Sequence, residues 1–293
     1  MKLLSLAAAA LLFSTSTFAA TIVQQNLIPE AQKSEFIVWG QLQSVAGRSS
    51  ANADLTGGGL GLGLSYYYGF MENNAIGLST KAFAGKNTSK SDTTETDTTT
   101  KGLQSLNLSY KGNFEIGAPT LFVELGYSVP DGDFKIKETD SNSYEMSYSR
   151  GQKGLYGQLG FVVPVDTLKL GASVGYFKRY DGKIEMEEED GTKASSDTKA
   201  ANSMLASVFT EIEGDIHLNL SANYQKDEEM TWGTSGTFRG LEMLSIAGGM
   251  RSSINESTEI IGSADLGVLL NASHNNMKSY AQVNLYLGIR LTF

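Results

Sequence analysis

The chain has 293 residues, of which 41% are hydrophobic and 19% charged, with 32 glycines, four prolines and no cysteine. Without cysteine there are no disulfides, thiol nucleophiles, cysteine-based zinc sites or iron–sulfur clusters, and no metal or cofactor is expected. A formal charge of −9 argues against a nucleic-acid partner, and no apolar run is long enough for a membrane-spanning helix.

Met1-Lys2, an apolar stretch from Leu3 to Phe13 and a small-residue exit describe a secretory signal peptide over residues 1–19, cleaved after Ala19. Loss of Lys2 leaves 22 basic and 32 acidic side chains, a mature net charge of −10. Residues 20–34, with Ile22, Val23, Leu27, Ile28 and Pro29, are too few for a domain and read as a short periplasmic or lumen segment.

Beyond them the hydrophobic pattern has period two, the signature of strands with unlike faces. Leu60, Leu62, Leu64, Tyr66, Tyr68 and Phe70 alternate with Gly59, Gly61, Gly63, Ser65, Tyr67 and Gly69. Ile76 and Leu78 open the next strand. Leu121, Val123, Leu125, Tyr127 and Val129 oppose Phe122, Glu124, Gly126 and Ser128. The pattern returns at Leu155–Val163, Leu168–Tyr176, Ile216–Tyr224 and Ile260–Leu270. Around 35–46, 202–212 and 240–251 it is irregular, and the facing is not fixed. Period-two patches at 134–148 and 184–186, the latter before the hairpin dipeptide Asp190-Gly191, predict hairpins that prolong the wall. The Thr-, Ser- and Asp-rich stretch 87–101 reads as a flexible loop.

The chain ends on Val283, Leu285, Leu287, Ile289, Leu291 and Phe293, alternating with Asn284, Tyr286, Gly288, Arg290 and Thr292. With the export signal, this aromatic-terminated strand resembles the last strand of bacterial outer-membrane β-barrels. In that superfamily the assembly machinery reads the terminal aromatic and its alternating hydrophobics, which here implies Leu287, Ile289, Leu291 and Phe293. About twelve strands also resemble autotransporter translocator domains, including solitary ones. Connection lengths fit a barrel: short near 71–74, 112–118, 164–167, 213–215 and 253–258, and mostly longer and more polar between them. The fold class expected for residues 35–293 is therefore all-β, a closed antiparallel transmembrane barrel of about 12 strands with short periplasmic turns and long extracellular loops. Tyr66, Tyr68 and Phe70 would gather at one membrane interface, and Tyr127, Tyr176 and Tyr224 at the other.

Strand phase points Lys81, Glu124, Lys169, Arg179, Asp265 and Arg290 into the lumen, where isolated charges must be hydrated or paired. Four bases against two acids suggest a mild anion preference, and Gly59, Gly61, Gly63, Gly171 and Gly175 would make room along one wall. Enzymatic chemistry finds little support: His217 reads as a polar lining residue and His274 as a loop residue, neither with an acid or nucleophile at useful spacing. Paired loop carboxylates such as Asp131/Asp133 and the run Glu185–Asp190 read as solvated charge. The function read from these residues is a narrow passive pore for small hydrophilic solutes in a Gram-negative outer membrane. The alternatives are a non-conducting structural or surface-interaction barrel and a lipid-modifying hydrolase. The partners expected are outer-membrane lipid, lipopolysaccharide and the barrel-assembly machinery.

Overall fold

The computed structural model describes residues 28–49, 52–93, 95–130, 135–140, 145–150, 153–188, 193–199, 202–228, 230–232, 236–238, 242–270 and 277–293. Every regular element among them is a strand. In chain order these are β1 (Ser34–Ser49), β2 (Asp54–Met71), β3 (Asn74–Lys90), β4 (Glu95–Glu115), β5 (Thr120–Pro130), β6 (Lys135–Asp140), β7 (Glu145–Arg150), β8 (Gly154–Val165) and β9 (Leu168–Arg179). They continue with β10 (Gly182–Glu188), β11 (Lys193–Lys199), β12 (Ser203–Ile212), β13 (Ile216–Asp227), β14 (Met230–Trp232), β15 (Gly236–Phe238), β16 (Glu242–Asn255), β17 (Thr258–Leu269) and β18 (Met277–Thr292).

A 12-strand antiparallel barrel runs β1-β2-β3-β4-β5-β8-β9-β12-β13-β16-β17-β18 and returns to β1. First and last strands pair from Glu35↔Thr292 to Ser49↔Met277, and Ser34 and Phe293 exchange backbone hydrogen bonds of 3.1 and 2.9 Å. Closure leaves the wall without a free edge, which a strand protein in hydrocarbon requires because nothing there could satisfy one. At one end the connections are tight turns, helped by the left-handed residues Asn73, Gly117 and Asp166. At the other end the hairpins β6/β7, β10/β11 and β14/β15 pair in series, from the outer half of β4 through β7–β10 and β11–β14. The hairpins expected from periodicity near 134–148 and 184–186 are thus present, while Asp190-Gly191 lies outside the described residues.

The stretch 87–101 is a correction: it belongs to the wall, not to a flexible loop. Strands β3 and β4 stay paired from Asn87↔Thr98 to Lys90↔Glu95, and Thr96–Lys101 also pairs with β6. Threonine is β-branched and suits a strand, but above a membrane it needs no apolar face, so alternation is silent there.

Outward positions are apolar and bare. Leu60, Leu62, Val174, Ile246 and Leu287 are each more than half exposed, and comparable side chains occupy the outward phase of all twelve wall strands. Tyr66, Tyr68, Phe70 and Tyr176 are among these outward residues. Inward positions are mostly buried and mix polar, charged and aromatic residues with aliphatic ones such as Ile37, Val45 and Leu205.

The inward glycines are a second correction. They do not open space; rings from neighbouring strands already fill it. A Cβ on Gly63 would lie 2.0 Å from the Trp39 ring, one on Gly59 2.3 Å from Phe83, and one on Gly171 2.2 Å from Phe209. Gly77 under Tyr67, Gly126 under Tyr156 and Gly160 under Phe122 repeat the arrangement. The wall thus accepts large aromatics laid flat against its backbone. Gly175 differs, because its nearest neighbours are 3.5 Å or more away.

Candidate functional site: the inner face of the barrel

The inner face is built by phase. One residue in two of each strand turns inward, and strand pairing sets which side chains become neighbours. Lys81, Glu124, Lys169, Arg179, Asp265 and Arg290 share the inward phase of their strands and fall into separate groups.

Near the tight-turn end, where the barrel closes, Arg290 of β18 bridges both adjacent strands. Its Nη2 donates to Glu35 Oε2 of β1 at 2.5 Å and its Nη1 to Glu259 Oε2 of β17 at 2.6 Å. Arg251 Nε stands 3.8 Å from the other Glu259 oxygen. Glu35 is fully buried, so this is charge sealed inside the protein and stabilised by opposite charge.

Six residues further along β1, Gln41 Nε2 donates to Asn284 Oδ1 at 2.8 Å and reaches the Tyr286 hydroxyl at 3.2 Å. Asn284 Nδ2 in turn donates to Asp265 Oδ1 at 3.0 Å. Lys81 on β3 is electrostatically coupled to Asp265 and sits 5.8 Å from the Trp39 ring centroid and 5.5 Å from that of Phe83.

A third group joins Lys111 and Glu124, directly opposite each other on β4 and β5. The Lys111 ammonium lies 4.3 Å over the Tyr67 ring, and the Tyr156 hydroxyl donates to Glu124 at 3.2 Å. On the remaining wall, Arg179 Nη1 donates to Ser203 Oγ at 2.7 Å and stacks on Phe177. Gln158 donates to Ser173 at 2.9 Å, and Ser207 to Asn223 at 2.6 Å. Lys169, at the tight-turn mouth, pairs with Glu213 in the turn after β12. Hydrogen bonding to Lys169 holds the Glu213 carboxyl below its usual range, with further help from the charges of Lys169, His217 and Arg251.

Lys111 and Arg251 therefore join the inward bases, while Glu35, Glu211, Asp227 and Glu259 join the acids. Acids and bases so named are equal in number, and the basic excess behind the expected anion preference disappears. Lys111 and Glu259 share the phase of Asn107 and Asp265, so alternation alone pointed to them. Apolar clusters share the inner face with these groups: Val45, Leu55, Met243, Met277 and Tyr280 toward the long-hairpin end, and Phe122, Val162 and Phe209 on the opposite wall.

His217 turns inward, half-buried, opposite Arg251. His274, Asp131, Asp133 and part of the run 185–190 lie outside the described residues. The outward row Val283, Leu285, Leu287, Ile289 ends on an exposed Phe293.

No protein-family model matches the chain, and no curated protein matches it in sequence. Solved structures do match it in fold. The translocator domain of the autotransporter NalP from Neisseria meningitidis is similar with a TM-score of 0.63 at 13% identity, over 99% of this chain and 97% of that one. An outer membrane channel from Pseudomonas putida F1 gives 0.61 at 11% identity, over 92% and 98%. The transport unit of the autotransporter AIDA-I from Escherichia coli gives 0.61 at 13%, over 95% and 98%. The chain has the closed antiparallel β-barrel fold of these channel and translocator structures.

Proposed function

We propose that the chain is a Gram-negative outer-membrane barrel that passes small hydrophilic solutes passively through its lumen. The observation that carries this is the contrast between its faces. A ring of bare leucine, isoleucine, valine and tyrosine surrounds an interior of paired charges and amides. So large an exposed apolar surface is unfavourable in water and belongs in hydrocarbon, while a polar interior suits hydrated solutes. In this reading residues 1–19 export the chain, and Leu287, Ile289, Leu291 and Phe293 engage the assembly machinery. The tight turns face the periplasm, and the long hairpins meet lipopolysaccharide outside. The fold likeness to a channel supports the reading at the level of architecture.

Single-channel recording on refolded protein in planar bilayers tests it. Stepwise current in potassium chloride is expected, with weak ion selectivity because inward acids and bases balance. Absence of current at any protein concentration would sink the pore and leave a structural or surface-interaction barrel.

A further inference from the structure

The outward face of the wall carries chemistry of its own where β5, β8 and β9 approach the long hairpins. Register sets the neighbours there. Tyr127, Leu155 and Lys178 lie in one row across the three strands, and Tyr176 faces Gly157 one row nearer the tight turns. One row nearer the hairpins, Tyr180 N donates to the Lys153 carbonyl at 2.8 Å, which sets Lys153 opposite Tyr180. Leu155, Tyr176 and Tyr180 are exposed on the outward phase, and Lys153 and Lys178 share that phase and are exposed with them. The two lysines are therefore diagonal neighbours on one face, with Cα atoms about 7–8 Å apart.

Two ammonium groups at that spacing repel unless a negative charge stands between them. Other outward bases toward this end have an acid. Arg48 meets Asp54 at 3.3 Å, Lys86 meets Asp97 at 2.7 Å, and Lys226 meets Glu242 at 3.0 Å. Among the described residues Lys153 and Lys178 have no acidic partner, and the Tyr176 and Tyr180 hydroxyls have no hydrogen bond. On the tight-turn side of the pair Leu125, Leu159 and Val174 are each more than half exposed. The lysines thus stand at the border of the apolar belt, with phenol rings beside them, where lipid headgroups lie.

We propose that Lys153 and Lys178 hold the phosphate monoester headgroup of an anionic lipid, whose acyl chains lie along Leu155, Leu159 and Val174. A phosphate monoester brings nearly two negative charges and three acceptor oxygens, enough for both ammonium groups and the Tyr180 hydroxyl. The proposal rests on the reading of this wall as membrane-spanning, and turns a general contact with lipopolysaccharide into a phosphate site on β8 and β9. A soluble phosphate ester would leave the apolar half of the surface unused.

Refolded barrel in neutral detergent is mixed with dioleoyl phosphatidic acid, a phosphate-monoester lipid, and the lipid retained is counted by native mass spectrometry. Acetylation by an amine-reactive ester then maps the site. Phosphatidic acid should be retained more tightly than dioleoyl phosphatidylcholine and should protect Lys153 and Lys178, with no change at Lys226. Lys178→Gln should weaken retention about tenfold, as loss of one charge-assisted hydrogen bond implies. Lys226→Gln should leave it unaltered. Val129→Lys, one residue beyond the Ser128↔Gly154 pair and on the outward phase, should tighten it, a gain that misfolding cannot produce. Retention of phosphatidic acid no better than that of phosphatidylcholine, or undiminished in Lys178→Gln, overturns the site. So does inorganic phosphate that protects both lysines as well as the lipid does. The same protein is recorded in bilayers. Current without preferential retention removes the site and keeps the pore, whereas preferential retention without current removes the pore and keeps the site.

Discussion

Two polar groups on the inner face share strands β17, β18 and β1, yet they are built differently. At the closure, Arg290 spends its guanidinium on Glu35 and Glu259, so charge meets charge within the wall. About 20 Å along β1, taking strand rise per residue, the Gln41–Asn284–Asp265 row meets a single carboxylate with amides. The first group joins the ends of the sheet through charge; the second joins the same three strands through amide hydrogen bonds. The same inner-face polarity is thus reached once with ion pairs and once with amides around a single carboxylate.

The largest effect should come from the closed group. Arg290→Met leaves Glu35 buried without its partner, which costs about 3–5 kcal/mol by precedent for broken buried pairs. The expected readouts are a lowered urea midpoint and early loss of the compact electrophoretic form of the unheated barrel. Glu35→Leu combined with Arg290→Met should be milder than Arg290→Met alone; an additive double variant would show that the pair is not a unit.

Glycines under rings come next. Gly171→Ala sets a methyl against Phe209 and should cost about 1–3 kcal/mol, as overpacking does. Gly175→Ala, four residues along the same strand, meets only ordinary contacts and should stay within about 0.5 kcal/mol. Equal urea midpoints for the two variants would remove the flat-ring description of the wall. Beside the Gln41–Asn284–Asp265 row, Lys81→Met keeps the packing on Trp39 and Phe83, so it should move the reversal potential toward cations and cost less stability than Arg290→Met. A collapse of stability instead would make Lys81 a structural residue like Arg290.

The smallest effect is at the mouth. Because Glu213 is held below its usual carboxylate range, its contribution is present above that range and lost as pH falls through its lowered pKa. Lys169→Met should abolish this acid-side loss, worth less than about 1 kcal/mol for so exposed a pair. Urea midpoints across the acid range measure it.

Legibility in the sequence followed the contrast between faces. Leu60 to Phe70 was plain because glycine, serine and only one inward tyrosine oppose its apolar row. The stretches 35–46, 202–212 and 240–251 were not, and the structure gives a common reason. Ile37 and Trp39 turn inward between Phe36, Val38 and Gly40, Leu205 and Phe209 between Met204 and Val208, and Met243 and Ala247 beside Leu244 and Ile246. Where the lumen is itself apolar, alternation vanishes, and Glu35 in the closure group was hidden with it. Asp265 and Arg290 sat on clean strands and were visible as inward charges. The partner of Arg290 on β1 was not, since pairing across β1 joins residues some 250 positions apart.

The serial hairpins β6/β7, β10/β11 and β14/β15 raise the wall from the β4 side to the β16 side, while β1 and β2 are joined near residues 50–53. Among the described residues the rim is therefore lopsided, a collar standing over half the perimeter. If the barrel conducts as proposed, its aperture is tipped toward the β1–β2 side. A solute would then approach obliquely over that low side rather than along the barrel axis.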